Sequence, residues 1–256
     1  MNYSNVSPLQ SHLLQTVSKH NIIVFSVKDI KRLTNWNQQR IHNILQSLIE
    51  KNLIVRIKRD QYVLTDNISE HIYTIATETI TPSYISFWTA LSYYGYTEQQ
   101  LSTIQIVTTK QKKPMKLFSF TIQPTTFQPR RFYGYHKNQE NITIATPEKT
   151  FIDSLYQLEK CGGLDEYCKS LQNAWNTLNQ QKLVTNLLCF QNKSLISRFG
   201  YIIDYLSLPK TKNLKKLEKN KSQTPVKLNP NTTKKGSYNK KWNLLINHQI
   251  TKEIII

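Results

Sequence analysis

The sequence predicts an α+β fold in two parts, and three observations carry that prediction. Apolar residues recur at helical spacing three times before residue 50 and then alternate over residues 53–64. Short runs rich in β-branched and aromatic residues, separated by Pro, Lys or Asn turns, fill 103–145. Helical spacing then returns four times between 146 and 206. A chain of 256 residues is long enough for two modest cores, and the pattern divides it at 1–66 and 67–256.

The first helix is expected over 8–19, with Leu9, Leu13 and Val17 inward. Ser26 is a good N-cap for a short second helix whose Val27, Ile30 and Leu33 face in, leaving Lys28, Lys31 and Arg32 outside. In the third helix Ile41, Ile44, Leu45, Leu48 and Ile49 form one stripe, opposite Gln38, Gln39, Arg40, Asn43 and Gln46. Asn52 suits a helix end. After it, Leu53, Val55 and Ile57 alternate with Ile54, Arg56 and Lys58, residues 58–61 make a charged turn, and 62–64 return.

That order is a winged helix-turn-helix, and it points to duplex DNA. Gln, Asn and Arg form hydrogen bonds to base edges in a major groove, and cations at a hairpin tip reach phosphates. The expected DNA-binding set is Ser26, Lys28, Asn37, Gln38, Gln39, Arg40, His42 and Asn43 with Arg56, Lys58 and Arg59. The same small fold also serves as a protein-interaction module. Charge favours DNA, because residues 1–66 hold nine Lys/Arg against four Asp/Glu.

In the second part, residues 83–95 read as a helix with Ile85, Trp88, Leu91 and Tyr94 on one stripe and Gly95 at its end. Four strands at 103–108, 117–123, 132–135 and 141–145 are expected to form a small mixed sheet. Its loops carry Lys110, Lys112, Lys113, Lys116, Arg130 and Arg131, read first as solvated and second as a surface for an acidic partner. Thr146-Pro147-Glu148 is a helix start: a capping hydroxyl, a proline at the first position, and a carboxylate at the positive end of the dipole. Phe151, Ile152, Leu155 and Leu158 supply that helix's buried face and 161–163 stop it. Helices follow at 164–179, 180–190 and 194–206. Two strands, 226–228 and 242–250, are expected around a turn at Gly236.

Net charge is +18, and residues 209–256 are the most cationic stretch, with twelve Lys against two Glu. Such a surplus predicts salt-sensitive attraction to polyanions. Within it, 209–225 is bounded by Pro209 and Pro225 and reads as a solvated linker, serving either solubility or nonspecific phosphate contact. No apolar run approaches the ~20 residues that span a bilayer, and the N-terminus does not read as a signal peptide, so the expectation is a cytoplasmic protein away from membranes. Cys161, Cys168 and Cys189 are too few and too widely spaced for a zinc site and are expected to be reduced, buried thiols.

An enzyme is not expected. A nucleotidyltransferase needs a G-S pair and a D-x-D pair to hold metal ions, and the chain has a lone Gly236-Ser237 and no D-x-D. A restriction-type nuclease would show E-x-K, which is absent; Asp29-Ile30-Lys31 lies on the second helix. No glycine-rich phosphate loop occurs, so no cofactor or metal is expected.

Four segments, in order and spacing, resemble the AbiEi antitoxins of the AbiE abortive-infection, type IV toxin-antitoxin system. They are the winged helix, Y-I-S-F-W-T-A-L-S-Y-Y-G-Y-T-E-Q from Tyr84, I-A-T-P-E-K-T-F-I-D from Ile144, and L-N-P-x5-G-S-Y-N-K-K-W-N-L-L-I-N from Leu228. Together they span nearly the whole chain. The resemblance implies an autorepressor that binds inverted repeats in its own promoter, and a second domain that counteracts a nucleotidyltransferase-like toxin from the same operon, with no stable complex required. Asn52 and Asp60 stand where that family commonly has glycine, and Asn229 where Asp is frequent. The alternative is a winged-helix regulator unrelated to toxins whose second domain binds a ligand or a protein.

Overall fold

The computed structural model describes residues 5–99, 102–233 and 235–251. Its N-terminal unit has helices α1 (Pro8–Lys19), α2 (Val27–Thr34) and α3 (Gln38–Glu50), then an antiparallel hairpin of β1 (Ile54–Lys58) and β2 (Gln61–Leu64). Each helix start has a chemical cause. Ser7 and Ser26 close capping boxes with Gln10 and Asp29, and the Asn37 side chain accepts from the Arg40 amide at 2.9 Å. Asn35 ends α2 in the left-handed conformation (φ 55°), as Asn52 does after α3 (φ 56°). Leu13, Leu14, Val17, Ile30, Ile41, Leu45, Leu48, Ile54 and Leu64 form the core. Leu9 is not among them. It is 44% exposed, because α1 turns Leu14 inward instead.

A short 3₁₀ turn, Thr65–Asn67, leads to α4 (Ile72–Thr79) and a six-stranded mixed sheet. Its strands are β3 (Ser83–Ile85), β4 (Thr103–Thr108), β5 (Met115–Leu117), β6 (Phe120–Thr126), β7 (Tyr135–Lys137) and β8 (Thr143–Ala145), ordered β5-β6-β4-β3-β8-β7. β4 runs parallel to β6 and β3 parallel to β8; the other pairs are antiparallel. Side chains alternate between two cores. Ile85, Ile104, Ile106, Ile122 and Ile144 meet Ile72, Ile75 and Ala76 of α4 on one face, whereas Tyr84, Val107 and Ala145 join the helical core on the other.

Two expectations are corrected here. Residues 83–95 are not one helix: 83–85 form the strand β3, and α5 spans Phe87–Tyr93. The sheet has six strands rather than four. The expected strand 117–123 is a β5–β6 hairpin turning at Phe118 (φ 54°), and 132–135 gives way to a turn at Gly134 before β7.

Thr146 caps α6 (Pro147–Tyr156) as its sequence requires. A 3₁₀ turn, Leu158–Cys161, then α7 (Leu164–Ala174), α8 (Gln180–Cys189) and α9 (Lys193–Tyr205) complete the helical layer. Cys161 and Cys168 are buried, but Cys189 is exposed. The segment read as a solvated linker is laid on the domain. Leu214 and Leu217, the latter on the short α10 (Lys216–Lys219), are buried, so its two leucines anchor what its lysines solvate. A second sheet joins β9 (Val226–Lys227), β10 (Ser237–Asn239) and β11 (Leu244–Ile246) in the order β10-β11-β9. Gly236 lies just before β10, not at the hairpin turn. A Cβ there would sit 1.8 Å from the Ile246 carbonyl oxygen, so only glycine fits. No helix among the described residues is long and apolar enough to cross a membrane.

Candidate nucleic-acid interface

An open groove of about 480 Å³ runs between α2, the start of α3 and the hairpin. Lys28 and Lys31 line it from α2, Gln38 and His42 from α3, and Arg56, Arg59 and Tyr62 from the hairpin. The spacing of the first two pairs, one helical turn each, puts both members on a common face. Four cations and three hydrogen-bonding side chains, Gln38, His42 and Tyr62, therefore converge from three elements, against one carboxylate, Asp60. That carboxylate has a structural task. Its Oδ1 accepts from the Val27 amide at 2.9 Å and ties the hairpin turn to the start of α2. Asp60 itself takes a left-handed backbone (φ 56°).

The outward face of α3 is pre-ordered. Gln39 donates to Asn43 Oδ1 at 3.0 Å, and Gln38 lies 3.4 Å from the His42 ring nitrogen, both across one turn. Gln38, Gln39, Arg40, His42 and Asn43 are all exposed. Behind them, Gln10 donates to Ser47 at 2.8 Å, and Trp36 packs its ring against His12, bracing the helix on α1.

The expected residues therefore separate into groups. Lys28, Gln38, His42, Arg56 and Arg59 share the groove, while Gln39, Arg40 and Asn43 extend the exposed face of α3 beside it. Ser26 and Asn37 are engaged as N-caps, their side-chain oxygens already accepting from the Asp29 and Arg40 amides. Lys58 faces away. Its ammonium donates to the Thr79 carbonyl at 2.5 Å, and burial, then Lys112, lowers its pKa. The cause is a bulge. Arg56 pairs with Tyr62 and Lys58 with Gln61, so Ile57 is an extra residue and the strict alternation that placed Arg56 and Lys58 together is broken. Four groove residues lie outside the expected set: Val27, Lys31, Asp60 and Tyr62. Lys31 was legible, one turn from Lys28; Tyr62 was not, because its place depends on an antiparallel bridge from β2 to Phe25, just before α2.

A second cluster of polar groups lies buried in the helical core. Lys149 and Asp153, one turn apart on α6, form an ion pair with neither side chain exposed. Tyr84 and Ser86, on and just after β3, donate to the other carboxylate oxygen, Asp153 Oδ2, at 3.1 and 2.8 Å, and the Lys149 ammonium lies 3.0 Å from the Tyr84 hydroxyl. The rings of Tyr84, Phe127, Tyr133 and Phe190 surround that ammonium at 4.9–5.4 Å. Burial works against both charges, lowering the pKa of Lys149 and raising that of Asp153, while each opposes the other's shift. Fully enclosed, the cluster joins β3 to α6. Glu148, its neighbour, accepts from the Asn179 amide at 3.0 Å and ties α6 to the start of α8. Among the described residues no group of three or more His, Cys, Asp and Glu is placed to hold a metal.

No family model matches the chain, and no curated protein matches it. Among solved structures it is similar to the crystal structure of the RV2827C protein from Mycobacterium tuberculosis, with a TM-score of 0.67 and 12% identity over 94% of this chain and 92% of that one. At that identity the likeness is one of fold, and it covers nearly the whole of both chains.

Proposed function

We propose that the chain is a DNA-binding transcriptional autorepressor and antitoxin, with a winged helix-turn-helix at its N-terminus and a second part that counteracts a nucleotidyltransferase-like toxin from the same operon. The observation that carries the DNA half is the groove, where Lys28, Lys31, Arg56 and Arg59 flank the polar start of α3. In this reading Gln38, Gln39, Arg40 and Asn43 meet base edges in a major groove, and the flanking cations hold phosphates on either side. The antitoxin half is supported by the motifs that resemble AbiEi proteins. Tyr84 and Ser86 from one motif and Lys149 and Asp153 from another meet in one buried network, so residues that resemble the family's pattern are also structurally interdependent. In keeping with the absence of D-x-D and E-x-K motifs, the chain itself is read as no enzyme.

The test uses the full chain and its own upstream DNA. Arg40→Ala with Asn43→Ala, both at exposed positions, is expected to abolish the shift of that fragment while circular dichroism is unchanged. Binding at wild-type strength would remove the assignment of α3. The same double variant is expected still to rescue growth when the neighbouring toxin gene is co-expressed. Loss of rescue by the folded variant would show that the two activities are not divided as proposed.

A further inference from the structure

The Lys-rich C-terminal segment is not absorbed by that reading, and it builds a surface of its own. From 209 to 251 the chain has eleven lysines against one acid, Glu218. Lys193, at the start of α9, Lys219 and Lys221, around the end of α10, and Lys240, beyond β10, line one groove of about 340 Å³ against a single carboxylate, Glu218. At its edge stands Tyr238, 53% exposed yet fixed, its hydroxyl donating to Asn243 Oδ1 at 2.5 Å. Asn243 is held in turn by a bond to the Ser222 carbonyl at 3.2 Å, and Lys221 by the Lys241 carbonyl. The aromatic platform and part of its basic rim are thus set before any ligand arrives.

We propose that this groove binds single-stranded polynucleotide, Lys193, Lys219 and Lys240 following the phosphates and Tyr238 stacking on a base. Lysine is a point charge suited to backbone phosphate rather than to bidentate reading of bases. Its positive surroundings are reinforced by the first turn of α9, where Lys193 sits at the positive end of a 13-residue helix. The ring selects the strand state. A duplex hides its base faces in the stack, whereas an unpaired base offers one, and a half-exposed tyrosine hydrogen-bonded in place among cations matches that chemistry. Single-stranded DNA and RNA share it. An acidic protein would be attracted by the same charge but gives the ring no role.

The proposal is tested on the full chain carrying Arg40→Ala and Asn43→Ala, which removes the base contacts proposed for α3, and the changes at Tyr238, Lys219 and Lys240 separate this groove from the cations of the first. Fluorescence anisotropy is read with labelled oligothymidylate and oligouridylate of about 12 nucleotides, within the range such sites occupy. Binding is expected to weaken steeply with salt. Tyr238→Ala should weaken it about tenfold, one stacked base being worth about 1–3 kcal/mol, and Tyr238→Phe should retain most of it. Lys219→Glu with Lys240→Glu should abolish it. All these positions are exposed, and circular dichroism checks the fold. Binding of both probes, or of one, supports the proposal and identifies which polynucleotide is the source. No binding of either probe at about 50 mM salt overturns it. So does binding indifferent to Tyr238→Ala and equalled by polyglutamate, which would indicate an acidic-protein surface. Since operator binding by the unmodified chain is a separate reading, failure of one proposal leaves the other standing.

Discussion

Replacing Lys149 by methionine should be among the most damaging single changes in this protein, and its effect should depend on pH in a direction the geometry fixes. Methionine fills most of the lysine's volume, so the loss is electrostatic rather than a cavity. It leaves Asp153 fully buried, with Ser86 and Tyr84 still donating but its paired cation gone. Breaking one side of a buried pair costs about 3–5 kcal/mol. Burial already raises the Asp153 pKa, and the ammonium is the largest influence opposing that rise; removing it pushes the folded-state value further above the unfolded one. A carboxyl whose folded-state pKa is raised gains stability as pH falls through that value, and the gain is complete below the unfolded pKa. The deficit of the variant, measured by urea unfolding, should therefore be greatest near neutrality and shrink by up to about 1.4 kcal/mol per pH unit as the buried carboxyl takes up its proton. Asp153→Leu in the same chain should recover much of the loss, because it removes the orphaned charge. A single variant within about 1 kcal/mol of wild type at neutral pH, or a deficit that does not change with pH, would refute the reasoning.

Three further outcomes follow from particular contacts. Alanine at Gly200, inside α9, would ordinarily favour the helix by up to about 1 kcal/mol, but its Cβ would lie 2.2 Å from the Trp242 ring, so thermal unfolding should show destabilisation of about 1–3 kcal/mol. If Gly200→Ala raises the melting temperature, the packing of β11 and its flanking turn on α9 is misread. Arg59→Ala should reduce the slope of log affinity against log salt for duplex DNA by about 0.9, whereas Lys58→Ala should leave it nearly unchanged because that ammonium is committed to the Thr79 carbonyl. Equal slopes for the two variants would contradict the bulge. At Asp204, burial raises the pKa but hydrogen bonds from Lys210, Lys241 and Trp242 outweigh it, and the net shift is downward. A depressed carboxylate stabilises above its unfolded pKa and loses that contribution as pH falls through the folded value. Asp204→Asn should cost about 1 kcal/mol near neutrality, discounted for its partial exposure, and nothing at pH well below about 4; a cost independent of pH would assign the loss to packing.

The parts of the fold legible in the sequence are those fixed by local chemistry. Ser26 and Thr146 cap helices where the sequence predicts, and α3 presents the stripe its period requires; Asn37, expected to meet DNA, caps α3 instead. Where tertiary pairing decides, the sequence misleads. Ile85, Trp88 and Leu91 keep helical spacing across the junction between β3 and α5, and nothing local shows that Tyr84 and Ile85 face opposite cores. Helix α4 is rich in threonine and isoleucine, poor helix formers, and owes its conformation to the sheet it covers. The site shows the same division. The cations of α2 follow from period, but the bulge that separates Lys58 from Arg56 appears only in the pairing of β1 with β2. Arg131, read as part of a charged loop, is drawn inward instead. Its guanidinium donates to the Tyr156 hydroxyl at 2.7 Å and lies over the Tyr156 and Phe190 rings.

The hairpin explains why one residue's displacement matters for function. Val63 is buried in the core formed with α4 and the six-stranded sheet, and Ile23, Val24, Val55 and Ile57 pack against that core from the same side. Ile54, Tyr62 and Leu64 belong to the helical core of the N-terminal unit. The hairpin is thus a shared wall, and a simple period-two strand would have kept Arg56 and Lys58 on the same face. The extra residue at Ile57 lets Arg56 and Arg59 line the groove while Lys58 crosses to the Thr79 carbonyl. In the proposed complex, phosphates would therefore pull on a strand whose other face is bonded to the second part. Any change that loosens the contact between α4 and the hairpin should weaken DNA binding without touching a residue that meets DNA.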